Sequence, residues 1–317
     1  MKVNHVLPEK RQQILTLLYQ AAGTSVSGVK ISDAAGISRV AVWKHIKALQ
    51  QAGVDIESLA TGYALRDPGN LLYPFCFPDP LKEKIFHFPE LDSTMDKARQ
   101  MARAGAGHAC CVIAEGQTKS RGRLNRQWHS GRGGLWFTLI LKPELPPPLA
   151  WAVNFAASTC MVEVLHRLFG LEIRVKWPND LLLDGRKLCG MLSEMETRAD
   201  MVDFWLLGIG LNVNNTPDSD QYQAIALKTA LGKPVSRKQI LVRFLELFES
   251  RISDIDPAGI ISQWKEKSST IGARVRIQTH DRIYEGTALD VDDTGTLMVR
   301  QEDGTTRRII YGDCFYL

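Results

Sequence analysis

The chain has no CxxC pair and no clustering of cysteine and histidine at metal-ligand spacing. Its six cysteines (76, 110, 111, 160, 189 and 314) are scattered. That excludes a zinc ribbon or a redox dithiol and points to free, mostly buried thiols in a reducing cytoplasm. No apolar run approaches the roughly 18 residues of a membrane span, so no membrane is expected. The amino terminus opens with Lys2, His5 and Pro8 instead of an apolar core, which argues against export. Three common catalytic signatures are also missing: the GxxxxGK[ST] phosphate loop, the HExxH zinc helix and the GxSxG nucleophile elbow. GIGLNV at 208–213 lacks the third glycine of a dinucleotide fingerprint. Internal repeats and low-complexity tracts are absent. What is left is a chain of ordinary globular composition whose 317 residues suffice for two or three domains.

One further absence is local. The stretch GQTKSRGRLNRQWHSGRGGLWF, residues 116–137, holds Lys119, Arg121, Arg123, Arg126 and Arg132 and not one acid. Unpaired charge is too costly to bury, so this cannot be a core strand. It reads as a mobile loop leading into a strand. Its glycines expose backbone N–H groups beside guanidinium forks, which is what a polyphosphate or carboxylate requires. On composition alone a solvated basic loop or a nucleic-acid patch is the better reading.

The net charge of +4 is uneven. Residues 1–66 carry eight Lys/Arg against four acids, and the remaining 31 bases and 31 acids cancel. A nucleic-acid partner is therefore to be sought at the amino-terminal end. There, residues 10–22 place Ile14, Leu17, Leu18 and Ala21 at helical spacing. Val29–Ala35 suits a short helix closed by Gly36, and Ser38 caps a longer one through about Ala52. Val42, Ile46 and Leu49 form the buried stripe of that helix. Ser38, Arg39, Val40, Trp43, Lys44 and Lys47 are left as candidate DNA contacts on its start and outer face. VDIESLATGYAL then alternates and turns near Thr61–Gly62, as a β-wing would. A winged helix-turn-helix over residues 1–66 is expected.

Residues 67–82 contain four prolines and read as a linker. Beyond it, HACCVIAEG and LWFTLILKP are strands flanking the basic stretch. LPPPLAWAVNFAASTCMVEVLHRLFG is a proline-initiated apolar helix, IRVKW a strand, and LLLDGRKLCGMLSEME a hairpin turning at Asp184–Gly185. FWLLGIGLNVN is another strand, followed by helices near Arg237–Ile252 and Pro257–Lys267. A catalytic domain over 83–270 is expected, with a small SH3-like β-barrel over 271–317, turning at Asp293–Gly295 and Asp303–Gly304. The fold class is α+β.

A site made of cations and amides remains: the basic stretch, Lys176 in KWPND, Lys187 in GRKLCG, Asp180 and Asn212. Such a set suits phosphoryl or nucleotidyl transfer, where catalysis is mostly positioning and charge stabilisation. Mg²⁺ is expected with a nucleoside triphosphate, and Asp180 is a candidate contributor to it. Each residue also has a plain structural alternative. Lys187 could cap a hairpin, Asp180 could be a turn residue, and Asn212 could satisfy backbone in the sheet.

In order, LDST (91–94), EGQTKSRGRLNRQW (115–128), GGLWFTL (133–139), VKWPNDL (175–181), GRKLCGMLSE (185–194) and GIGLNV (208–213) resemble the biotin–protein ligases. With the winged helix in front, the chain is similar to the bifunctional members that also repress the biotin operon. The resemblance implies a central mixed sheet like that of class II aminoacyl-tRNA synthetases. It implies that Ser93, Thr94, Met95, Gln117, Arg121, Gly122, Arg123, Lys187 and Gly190 contact biotin or its adenylate. Trp128, Lys176, Asn179, Asp180 and Asn212 would serve ATP, and Arg121, Arg123, Lys176 and Lys187 the chemistry. Ser120, Leu124 and Asn125 depart from the family's GRGR–RGR pattern, and Met95 stands where asparagine is frequent.

The implied reaction joins biotin to AMP and passes it to a lysine of a biotin carboxyl carrier protein. No protein nucleophile is needed, in keeping with the missing catalytic signatures. A lipoate or other acyl-adenylating ligase, and a transcription regulator without ligase activity, remain alternatives. The resemblance further implies operator DNA as a partner and a homodimer when biotinyl-AMP is bound. Because its cations have no acids near in sequence, the loop 116–134 is expected to be poorly ordered without ligand.

Overall fold

A computed structural model describes residues 7–142, 147–198, 201–217 and 223–317. Lys2, His5 and the first residues of the proline run, 145 and 146, lie outside the described residues. All six cysteines are buried and free, in line with their scattered spacing.

The amino-terminal unit consists of helices α1 (Glu9–Gln20), α2 (Gly28–Ala35) and α3 (Arg39–Gln51), then strands β1 (Ile56–Leu59) and β2 (Gly62–Leu65). Ser27 and Ser38 each accept a hydrogen bond from the backbone N–H three residues on, capping α2 and α3. Between these helices Gly36 adopts φ +62°, the left-handed cap its sequence position suggested. The core is Ile14, Leu15, Leu18, Ile31, Ala35, Val42, Ile46 and Leu49. In α1 the buried set includes Leu15, where the periodicity had suggested Leu17. The wing pairs antiparallel from Ile56↔Leu65 to Leu59↔Gly62.

Residues 67–82 are not a loose tether. They form three short 3₁₀ turns and bury Leu71, Leu72, Tyr73, Cys76 and Phe77. Tyr19 of α1 packs edge-on against Phe75 and donates its hydroxyl to the Cys76 carbonyl at 3.2 Å. Proline rigidity here serves packing, so the two units meet across a folded surface.

The central unit continues with β3 (Ile85–Phe88), α4 (Thr94–Arg103), β4 (Cys110–Ala114), β5 (Leu135–Leu141), α5 (Ala150–Phe169), β6 (Ile173–Lys176), β7 (Asp180–Leu183), β8 (Arg186–Arg198), β9 (Met201–Leu211), α6 (Leu227–Leu231), α7 (Arg237–Ser253) and α8 (Pro257–Lys267). Seven strands make one mixed sheet in the order β3-β4-β5-β9-β8-β7-β6. Only β3 and β4 run parallel. Both faces are covered, which is why β4 and β5 read as continuous apolar runs without alternation. Cys110 and Val112 pack with Met95, Ala98 and Ala102 of α4, while Cys111 and Ile113 face the cluster containing α5 and α7. Helix α4 was not foreseen, although Ser93 ahead of TMDKARQMAR is an N-cap that its sequence advertises.

Strands β10 (Arg274–Gln278), β11 (Ile283–Val291), β12 (Leu297–Arg300), β13 (Thr306–Ile309) and β14 (Asp313–Tyr316) close the chain. They form an antiparallel sheet in the order β13-β12-β11-β10-β14, consistent with an SH3-like unit. The expected turns occur, with Gly295 at φ +73° and Gly304 at φ +82°. This unit is fastened to the central sheet by Trp177, whose indole N–H donates to the Gly295 carbonyl at 3.2 Å.

Candidate active site

Two glycines set the floor of the main cleft. Gly190 of β8 faces Gly210 of β9 across the ladder. A Cβ on either would fall 2.9 or 2.6 Å from the Trp128 indole. Trp128 therefore lies directly on the backbone of two strands, a position that side chains there would forbid. Its Nε1 is buried and has no hydrogen-bond partner among the described residues. Beside it Gly208 admits Met95, whose sulfur would lie 2.7 Å from a Cβ at that position.

The basic stretch leaves β4 and returns to β5 as a hairpin-like loop. Backbone bridges pair Arg121 with Gln127 and Gln117 with Ser130. Leu124 at its tip takes φ +51° and is half exposed. Gln117 is held at both ends of its amide: its Oε1 accepts from the Thr94 N–H at 2.7 Å and its Nε2 donates to Ser130 Oγ at 2.8 Å. That joins the loop to the start of α4, where Ser93 caps the helix and Thr94 accepts a hydrogen bond from Thr138.

These cations have no acids near in sequence, but the fold supplies them from a distance. Lys119 pairs with Asp92 at 2.9 Å, Arg121 with Asp96 at 2.9 Å, and Arg126 with Asp313 at 2.8 Å. Arg123 lies 4.0 Å from the same Asp313, and burial lowers the pKa of its guanidinium. Every one of these acids comes from another element, which a search along the stretch could not reveal. Arg132 points elsewhere, donating to the Ala52 carbonyl at the end of α3. Gly53 is needed for that approach, since a Cβ there would collide with the guanidinium.

Opposite the loop, Lys187 forms a 2.8 Å ion pair with Asp180 and lies 5.1 Å from the Trp128 ring centroid. Lys176 sits 4.9 Å from the Tyr316 ring centroid, and Asn179 donates to the Met191 carbonyl. Asn212 is only 3% exposed, and its side-chain oxygen accepts from Asn215 at 2.9 Å. It lines the cleft while also bracing the chain after β9.

Ser93, Thr94, Met95, Gln117, Arg121, Gly122, Arg123, Trp128, Lys176, Asn179, Asp180, Lys187, Gly190 and Asn212 all line this one cleft. Asp313, Phe315 and Tyr316 of β14 line it too, and sequence reasoning missed them. Nothing in the alternation of DCFY distinguishes a strand that walls a site from one that closes a barrel. No group of three or more His, Cys, Asp or Glu able to hold a metal occurs among the described residues. Asp180 is the carboxylate that lines the cleft beside Lys187, to which it is ion-paired.

On the amino-terminal unit, Ser38 is consumed as the cap of α3, while Arg39, Val40, Trp43, Lys44 and Lys47 are exposed. Val40 and Trp43 are 65% and 51% exposed on the same face as the three cations.

Three family descriptions match the chain: HTH domain over residues 10–64, Biotin/lipoate A/B protein ligase family over 88–213, and Biotin protein ligase C terminal domain over 270–317. The bifunctional ligase/repressor BirA of Bacillus subtilis (strain 168) is 34% identical, over 93% of this chain and 95% of its own. Its namesake from Escherichia coli (strain K12) is 28% identical over 89% and 90%. Among solved structures, the biotin protein ligase of Aquifex aeolicus in complex with biotin and ATP matches with TM-score 0.64 and 24% identity. That match covers 74% of this chain and 98% of that one.

Proposed function

This chain belongs to the bifunctional ligase/repressor family of biotin–protein ligases, and from that premise we propose how its cleft works. It is a biotin ligase joined to a repressor's DNA-binding unit, with biotin and ATP as substrates. A biotin carboxylate oxygen attacks the α-phosphorus of ATP, the bond to pyrophosphate breaks, and biotinyl-5′-AMP forms. The amine of a carrier-protein lysine then attacks the acyl carbon, losing a proton as the amide forms and AMP leaves. Lys187, Arg121, Arg123 and Lys176 offset the negative charge that grows at phosphorus and on the departing pyrophosphate. Mg²⁺ accompanying ATP would be held by its phosphates with Asp180 and would neutralise phosphate charge. Trp128 covers the intermediate from the sheet side, and the hairpin-like loop excludes water from a hydrolysable anhydride.

The observation that carries this reading is the glycine-floored cleft, in which cations from the loop, β6 and β8 converge. In addition, we propose that the acceptor is a biotin carboxyl carrier protein and that biotinyl-AMP favours a homodimer on operator DNA. Purified protein with ATP, Mg²⁺ and either biotin or lipoate tests the chemistry. Biotinyl-AMP and pyrophosphate should appear by mass detection, and a product with lipoate but none with biotin would overturn the assignment.

A further inference from the structure

Arg237, at the first turn of α7, is one of the few buried charged side chains among the described residues, 5% exposed, and it is not among those that line the cleft. A guanidinium has five N–H donors, and here each has an acceptor. Nη1 donates to Glu115 Oε2 at 2.8 Å and to the Gly134 carbonyl at 2.9 Å. Nη2 donates to the Asn70 carbonyl at 2.5 Å and to Glu115 Oε1 at 3.3 Å. Nε donates to Asn70 Oδ1 at 3.2 Å. Glu115 immediately precedes the basic loop, and Gly134 ends it. Asn70 belongs to the segment arriving from the DNA-binding unit.

One planar fork therefore grips both ends of the loop and the connector at once. Asn214 doubles the connection: its backbone N–H donates to the Gly133 carbonyl at 2.8 Å and its amide to Asn70 Oδ1 at 3.0 Å. Five acceptors on three separate segments are far more than a buried charge needs for neutralisation, which Glu115 alone would supply.

We infer that Arg237 is a positioning residue. It fixes the two stems of the basic loop so that the loop holds the adenylate, and through Asn70 it passes the loop's state to the DNA-binding unit. The inference rests on the ligase–repressor reading and adds a residue outside the site. Lysine at this position would keep the charge but could not reach three segments simultaneously.

The test uses the full chain, with thermal melting to confirm that each variant is folded. In Arg237→Lys, biotinyl-AMP should escape into solution and hydrolyse about ten times faster per turnover. Substrate KM should rise more than single-turnover kcat falls. Biotinyl-AMP should also enhance DNA affinity about tenfold less than in the parent. Asn70→Ala removes the side-chain bonds from Arg237 Nε and Asn214 and leaves Glu115, Gly134 and the residue-70 carbonyl on the fork. Adenylate retention should stay within twofold, and the ligand-dependent gain in DNA affinity should still fall several-fold. Parent-like retention in a folded Arg237→Lys protein would overturn the positioning role, and a full DNA response in both Arg237→Lys and Asn70→Ala would overturn the link. If Arg237→Lys does not fold, Glu115→Gln takes its place, with the same expectation and the same overturning result. Trypsin cleavage after Arg121 and Arg123 without any ligand should be faster in Arg237→Lys or Glu115→Gln than in the parent. That readout keeps the anchoring claim testable even if the parent makes no biotinyl-AMP, and equal cleavage rates would defeat it.

Discussion

The two basic regions of this protein look alike in sequence and differ in space. Arg39, Lys44 and Lys47 stand exposed on α3 with no acid within ion-pair distance among the described residues. Arg121, Arg123, Arg126 and Lys187 instead meet Asp96, Asp313 and Asp180, carboxylates delivered by α4, β14 and β7. Cations of the first kind are ready for a phosphate backbone and answer mainly to salt. Those of the second kind already sit in a field of fixed acids, so an anionic ligand must exchange partners with a carboxylate. The difference separates a surface that reads a polymer from a cleft that manages a small, highly charged reactant.

The strongest way to break that comparison is Lys187→Ala. It removes the cation of the Asp180 pair and leaves that carboxylate facing the reacting phosphate. Adenylate formation in a single turnover should fall by about two orders of magnitude or more, the usual cost of one lost transition-state contact. An unchanged rate would move Lys187 from the chemistry to the architecture of the hairpin.

Next in size is an acid effect confined to the cleft's foundation. Burial works against the Glu115 charge, but the His87 hydrogen bond and the Arg237 charge hold its pKa down to about 2. A depressed carboxylate pKa contributes stability that is present above the unfolded value near 4.5 and is lost as pH falls through about 2. The shift corresponds to on the order of 3 kcal/mol at most. Glu115→Gln should therefore be less stable at neutral pH and should lose much of the parent's acid dependence between pH 4.5 and 2. Denaturant melts at several pH values measure it.

A smaller effect is expected on the DNA side. Alanine at Lys44 and Lys47 should lower the slope of log affinity against log salt by about one unit per lost phosphate contact. Ligase kinetics should stay close to the parent's, because neither side chain touches the cleft. Salt titrations of operator binding decide it, and an unchanged slope would mean that α3 presents another face.

How much of this was legible without coordinates depends on the range of the interaction concerned. Ser38, Gly36 and the Val42–Ile46–Leu49 stripe act within a turn or two of helix, so the DNA unit could be read almost completely. The strands and the Asp184–Gly185 hairpin were equally local. The glycines at 190 and 210 become meaningful only when β8 and β9 pair and Trp128 is laid across them. Asp96, Asp313 and Arg237 act on a loop far away in sequence, and no count of charges along that loop announces them. The prolines of 67–82 mark a linker in the sequence, but a rigid extended segment and a packed one share a composition. The burial of Leu72 and Phe77 decides between them.

The smallest effect tests the exchange of partners itself. Asp313 pairs with Arg126 at 2.8 Å and lies 4.0 Å from Arg123. It belongs to the carboxy-terminal sheet, so this wall of the cleft presents a negative charge beside the loop cations. If that carboxylate is a stand-in for the ligand, Asp313→Asn keeps the shape and removes the competitor. The pair is partly solvated on the arginine side, with Arg126 36% exposed, which limits its worth to about 1 kcal/mol or less. The KM for ATP should accordingly fall by about two- to fivefold, with single-turnover kcat unchanged. Raised salt should shrink the difference between variant and parent, since the effect is electrostatic and screened. A rise in KM would show that Asp313 aims the guanidinium groups at the phosphates, making the acids part of the binding geometry and no longer rivals for it.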